Sequence, residues 1–123
     1  GRITVPQYQE GELTPGGPNG YSNGKSWYDV PTARTLIGLS EDRRMLTILT
    51  VDRSGESKGL TVGEAASILA KDYGVFDALN LDGGGSTTLV MEGRGIVNQP
   101  TSGDGGRRVG SNLVIFARPA PAP

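Results

Sequence analysis

The sequence predicts an α+β fold, a mixed or mainly antiparallel sheet with one main helix at about residues 62–73, behind a loop-rich N-terminal segment. Three observations predict it. Short β-prone runs recur along the chain, a single window has helical periodicity, and 20 Gly and 8 Pro among 123 residues punctuate the intervals. The glycines follow no three-residue period, which excludes collagen, and 35% hydrophobic residues suffice for one modest core. One domain is expected.

In chain order, residues 1–32 form a Gly/Pro-rich leading segment. Pro15-Gly16-Gly17-Pro18-Asn19-Gly20 and Asn23-Gly24 carry turn chemistry, because glycine supplies positive φ and proline presets it. The segment reads as a long ordered loop or a flexible entry, and Tyr21, Trp27 and Tyr28 argue against full disorder, since aromatic rings gain most from burial. The main domain spans 33–117. Residues 33–39 (ARTLIGL) and 45–51 (MLTILTV) read as the strands of a hairpin across the polar turn Ser40–Arg44. Thr61-Val62-Gly63-Glu64 is a capping-box pattern, so a helix should begin there. Val62, Ala65, Ala66, Leu69 and Tyr73 then recur at helical spacing, and Gly74 stands where a left-handed C-terminal cap is wanted.

Residues 76–81 (FDALNL) predict a strand that ends in Asp82-Gly83-Gly84-Gly85-Ser86, and 87–91 (TTLVM) predict the next. Glu92-Gly93-Arg94-Gly95 is a tight turn into Ile96-Val97. A second Gly-rich loop, Ser102–Gly110, leads to a final predicted strand at 111–117 (SNLVIFA). Residues 118–123 (RPAPAP) read as a Pro/Ala linker stub, a sign that the natural chain continues.

Composition narrows the chemistry. With 12 basic and 13 acidic residues the net charge is -1, which argues against a polyanion binder, so no nucleic-acid partner is expected. Cysteine and histidine are both absent, which removes thiol nucleophiles, Cys/His zinc sites, imidazole bases and the Ser-His-Asp triad. No apolar run approaches the ~18 residues of a membrane span, and no charged-then-apolar leader precedes the first strand, so a soluble chain is expected.

The sharpest feature is Asn80-Leu81-Asp82-Gly83-Gly84-Gly85-Ser86. Each ordered glycine forfeits roughly 0.5–1 kcal/mol relative to alanine, so three in a row weaken the fold unless they serve something else. Directly after a strand, such glycines let backbone N–H groups converge on an anion, with the Asp82 carboxylate and Ser86 hydroxyl at the same spot. A tight loop between strands is the plain alternative. A nucleotide phosphate loop is excluded, because no Gly-Lys-Ser/Thr follows and a strand comes next. Ser86 is not a serine-hydrolase nucleophile, lacking a histidine and a Gly-X-Ser-X-Gly elbow. No cofactor is expected. Asp82, Asp104 or Glu92 could supply oxygen ligands to a divalent cation such as calcium, but their spacing matches no EF-hand loop.

Read in order, TARTLIGL, LTILTVD, GLTVGEAASILAKDYGVFDALNLDGGGSTTLVMEG and RRVGSNLVIFA resemble the phosphodiester glycosidase family over residues 33–117. The resemblance implies an enzyme that cleaves between a sugar's anomeric carbon and a phosphodiester oxygen. For a bacterial relative it implies an exported protein, secreted or in the cell envelope, acting on glycan-phosphate substrates. The family's Pro-Arg-Thr string falls on Ala33-Arg34-Thr35, keeping Arg34. Its Val-Asp-Gly-Arg string falls on Val51-Asp52-Arg53-Ser54, keeping Asp52 without the glycine. Its late arginine falls on Arg107 or Arg108. The Asn- and aromatic-rich string ending in Phe-Phe has no match in residues 1–32, which implies a C-terminal part of the family domain.

On that alignment Asp82 and Asp52 are the candidate catalytic residues, with Asp82 facing the oxocarbenium carbon as nucleophile or as the base that orients water. Arg34 and Arg107 or Arg108 would hold phosphate oxygens bidentately, with Gly83, Gly84, Gly85 and Ser86 as an anion cradle. Two rival readings are a non-catalytic glycan- or phosphate-binding module, and an oligomerising fragment whose site is completed by the missing N-terminal half or a second copy.

Overall fold

The computed structural model describes residues 30–103 and 105–118. Most of the leading segment and nearly all of the 118–123 stub therefore lie outside the described residues. Three strands form one sheet: β1 (Arg34–Ser40), β2 (Leu46–Val51) and β3 (Val75–Asn80), in the order β2-β1-β3 with β1 antiparallel to both neighbours. Helix α1 (Val62–Asp72) connects β2 to β3 across β1. The α+β architecture follows the sequence reading, and the 33–39 and 45–51 runs form the expected hairpin.

Period-two alternation along β1 decides where the core lies. Arg34, Leu36 and Gly38 share one face and are buried. Leu36 packs there with Ala65 and Leu69 of α1 and with Val75, flanked by Leu49 and Leu60. The other face carries Ile37 in register with Ile48 and Leu79, and Leu79 is 64% exposed. Among the described residues the sheet thus has one packed face and one open one.

The capping box forms as the sequence predicts. The Glu64 N–H donates to the Thr61 hydroxyl at 3.2 Å, and the Thr61 N–H donates to the Glu64 carboxylate at 2.8 Å. Helix α1 ends one residue earlier than the expected 73, with Tyr73 as C-cap and Gly74 at φ +62°, the left-handed conformation that favours glycine. Thr61→Ala should lower stability by about 1 kcal/mol, read as a shift in urea midpoint. The Glu64 carboxyl is held below its ordinary value by the Thr61 N–H and then by the Thr61 hydroxyl. A depressed folded-state pKa stabilises above the unfolded carboxylate pKa, and the benefit is lost as pH falls through the folded value. Glu64→Gln should therefore lower the urea midpoint near neutral pH and converge with wild type in acid. Parallel curves at both pH values would contradict this.

Two expected strands differ. Residues 87–91 give only β4 (Val90–Met91), paired with β5 (Gly95–Ile96) across the predicted turn, and a 3-10 turn occupies Gly84–Ser86. The hydrogen bonds explain the shortening: the Thr87 N–H closes that turn on the Gly84 carbonyl, and the Leu89 N–H goes to the Asn98 side chain. Residues 111–117 form no strand. A β-prone pattern needs a partner edge, and among the described residues none pairs with it; Phe116 is 94% exposed.

Candidate active site

The antiparallel register gathers three chain positions at one end of the sheet. Arg34 opens β1 opposite Val51, so Asp52 follows directly at the end of β2. Asn80 closes β3 opposite Leu36, and the chain beyond it continues along the start of β1: the Leu81 N–H donates to the Thr35 carbonyl at 2.8 Å and the Gly84 N–H to the Ala33 carbonyl at 2.8 Å. This close approach requires a glycine at 83, where a Cβ would stand 2.6 Å from the Ala33 oxygen. The result is an open cleft of about 170 Å³ lined by Thr32, Arg34, Asn80, Leu81, Asp82, Gly83 and Gly84.

Arg34 is 4% exposed. Its Nε donates to the Leu60 carbonyl at 3.0 Å and its Nη2 to the Val30 carbonyl at 2.7 Å, so the guanidinium ties the approach to β1 to the loop before α1. Burial lowers its pKa from the ordinary arginine value, yet a guanidinium remains a cation at any physiological pH. Arg34, a permanent cation, is thus one of the residues that line the cleft. Asp82 is exposed, and one oxygen of its carboxylate accepts the Gly83 N–H at 2.9 Å.

The glycine run is held by internal hydrogen bonds. Besides the Gly83 and Gly84 amides, the Ser86 N–H donates to the Gly83 carbonyl at 3.1 Å, so three of the four amides in Gly83–Ser86 have acceptors within the fold. Ser102 fastens the later loop to this run through its hydroxyl, which donates to the Gly85 carbonyl at 2.9 Å. Arg107 lies over Gly85: a Cβ there would be 3.3 Å from the Arg107 Cδ and 3.7 Å from its Nη1. Arg107 and Arg108 are both exposed, and neither is among the residues that line the cleft. Asp52 also stands outside the lining, with both carboxylate oxygens accepting, from the Asn98 side chain and the Gln99 N–H, each at 2.8 Å.

Sequence reasoning gave no role to Thr32, Asn80 or Asn98. Asn80 lies in the same string as Asp82 and could have been drawn in by proximity. Thr32 enters through the backbone bridge with Leu60, and Asn98 through a fold-dependent pairing, neither of which leaves a local pattern. Among the described residues no group of three or more His, Cys, Asp or Glu could hold a metal, and Asp104 lies outside them. No helix among the described residues is long and apolar enough to cross a membrane.

The phosphodiester glycosidase family model matches residues 7–116, reaching further into the leading segment than the motif resemblance does. The chain belongs to the phosphodiester glycosidase family. It is 44% identical over 66 residues to the N-acetylglucosamine-1-phosphodiester alpha-N-acetylglucosaminidase of Bos taurus and 42% identical over 66 residues to that of Homo sapiens, covering 53% of this chain and 12% of each relative. A solved structure, the zebrafish N-acetylglucosamine-1-phosphodiester alpha-N-acetylglucosaminidase catalytic domain auto-inhibited by pro-peptide, superposes with a TM-score of 0.52 at 36% identity, covering 60% of this chain and 23% of that one. This phosphodiester glycosidase chain thus spans a small part of the length of the relatives it matches.

Proposed function

We propose that the cleft hydrolyses the bond between a sugar's anomeric carbon and a phosphodiester oxygen, on glycan-phosphate substrates outside the cytoplasm. One observation supports the reading: in a member of this family, one cleft is lined by both a buried arginine, Arg34, and an exposed aspartate, Asp82. In the reaction the C1–O bond breaks and its electron pair leaves on the phosphate oxygen. Water supplies the oxygen that bonds to C1, and its proton passes to Asp82 and on to the phosphomonoester or solvent. A phosphate is a far better leaving group than an alkoxide, so the site's main task is to stabilise separating charge. Arg34 and Arg107 would meet the phosphate oxygens, and Asp82 the carbon that becomes positive.

The test is release of free sugar from an N-acetylglucosamine-1-phosphodiester by the purified chain, compared with Arg34→Lys. Lysine keeps the charge but not the planar fork, so kcat/KM should fall by roughly tenfold or more. Absence of turnover in the wild-type chain would overturn the reading.

The cleft volume favours a second reading in which another segment or chain completes the site. At about 170 Å³ it is below the ~300–1,000 Å³ usual for ligand pockets. The partner would be the remainder of a longer domain or a second copy, joining at the exposed β3 edge. Turnover that rises more steeply than linearly with protein concentration, together with a dimer by light scattering, would distinguish this reading from a self-sufficient chain.

A further inference from the structure

The cleft accounts for Arg34 and Asp82 but not for Asp52, which is outside its lining with both carboxylate oxygens engaged. What engages them leads back toward the cleft. The Asn98 Nδ2 donates to Asp52 Oδ1 at 2.8 Å and to the Thr87 carbonyl at 3.2 Å, while Asn98 Oδ1 accepts the Leu89 N–H at 2.8 Å. The Gln99 N–H donates to Asp52 Oδ2 at 2.8 Å. Thr87 is fully buried, its N–H donates to the Gly84 carbonyl at 3.2 Å, and its hydroxyl lies 3.4 Å from that of Thr35 on β1. The glycine turn is therefore pinned at three points: in front by the Gly84–Ala33 backbone bond, at Gly85 by the Ser102 hydroxyl, and behind by Thr87 and Leu89, which Asn98 holds.

We propose that Asp52 acts through Asn98 as a positioning residue, the Asp52–Asn98 pair holding residues 87–89 and, through them, the turn that presents Asp82 to the cleft. An ionised carboxylate only accepts hydrogen bonds, and bonds to it are roughly twice as strong as neutral ones. It therefore orients the Asn98 amide with its NH2 toward Asp52 and its oxygen toward Leu89. Asp52 does this work from the position that directly follows β2, and does not touch the reacting carbon. The assignment rests on the Asp82 cleft being the reactive site.

The test compares Asn98→Ala, Asp52→Asn and the swapped pair Asp52→Asn with Asn98→Asp in the full chain. Two readouts are needed, amide hydrogen exchange by NMR and kcat with KM on the sugar-1-phosphodiester. Asparagine at 52 sets an NH2 against a donor, so it breaks part of the network, whereas the swapped pair exchanges donor and acceptor and can remake all of it except the bond to the Thr87 carbonyl. Asn98→Ala should match Asp52→Asn, with exchange at Thr87 and Leu89 accelerated about tenfold and kcat lowered roughly 10–10²-fold at little-changed KM. The swapped pair should recover most of both.

Wild-type kcat in Asn98→Ala beside a dead Asp52→Asn would overturn the proposal. So would a swapped pair that regains protection but not turnover, since Asp52 would then act directly; this comparison decides even where Asn98→Ala does not fold. If the wild-type chain shows no turnover, the reading of the site fails separately. The exchange data then decide alone, and unchanged protection at Thr87 in Asn98→Ala overturns the relay.

Discussion

Replacing Asp82 with asparagine should lower kcat by roughly 10²–10⁴-fold while leaving the fold intact. The two halves of this expectation have separate causes. Asp82 is exposed, and among the described residues its carboxylate accepts one hydrogen bond, at Oδ1 from the Gly83 N–H, which the amide oxygen of asparagine can also accept. Stability should therefore change by less than about 0.5 kcal/mol, as for most exposed positions. What asparagine cannot do is take a proton from water or carry negative charge toward a carbon becoming positive. Turnover of the sugar-1-phosphodiester and the urea midpoint, measured on one preparation, separate chemistry from folding. Wild-type turnover in this variant would remove Asp82 from the mechanism, and a large stability loss would show that its carboxylate serves the turn instead.

Leu36→Ala should have the largest effect on stability. Leu36 lies on the central strand, 2% exposed, against Ala65, Leu69 and Val75, with Leu49 and Leu60 at the margin. Truncating such a leucine costs about 2–5 kcal/mol, the transfer loss plus the cavity left behind. Small domains have only about 5–15 kcal/mol in total, so the variant would lose a large share of its stability. Ile37→Ala, one residue along the same strand, removes a similar side chain from the open face beside Ile48 and Leu79, which are 41% and 64% exposed. It should cost less than half as much. Equal losses in urea denaturation would mean that the open face is covered as well as the helix face.

The contrast between these neighbours shows what was legible in the sequence. Helix α1 was readable because its signals are local: a capping pair three residues apart, apolar positions at a 3.6 period, and a glycine one residue past the C-cap. The β1–β2 hairpin was readable from alternation on both sides of a polar turn. The 111–117 run is also β-prone, with five consecutive apolar residues, and forms no strand, because pairing depends on an edge elsewhere in space. Residues 87–91 were misjudged in length, since the Thr87 and Leu89 amides are claimed by a turn and by a side chain nine residues further on.

The site divides the same way. By itself the sequence determined the α+β class, the capped helix, the family motif around Asp82 and the absence of any imidazole or thiol chemistry, all properties of residue type and short spacing. Only the tertiary structure decided that Arg34 shares a cleft with Asp82, that Arg107 lies over Gly85, and that Asp52 is engaged by Asn98 and Gln99. Those relations join residues far apart along the chain. They are set by strand register and backbone crossing, which place the start of β1 beside the ends of β2 and β3, and no local pattern of side chains encodes that placement.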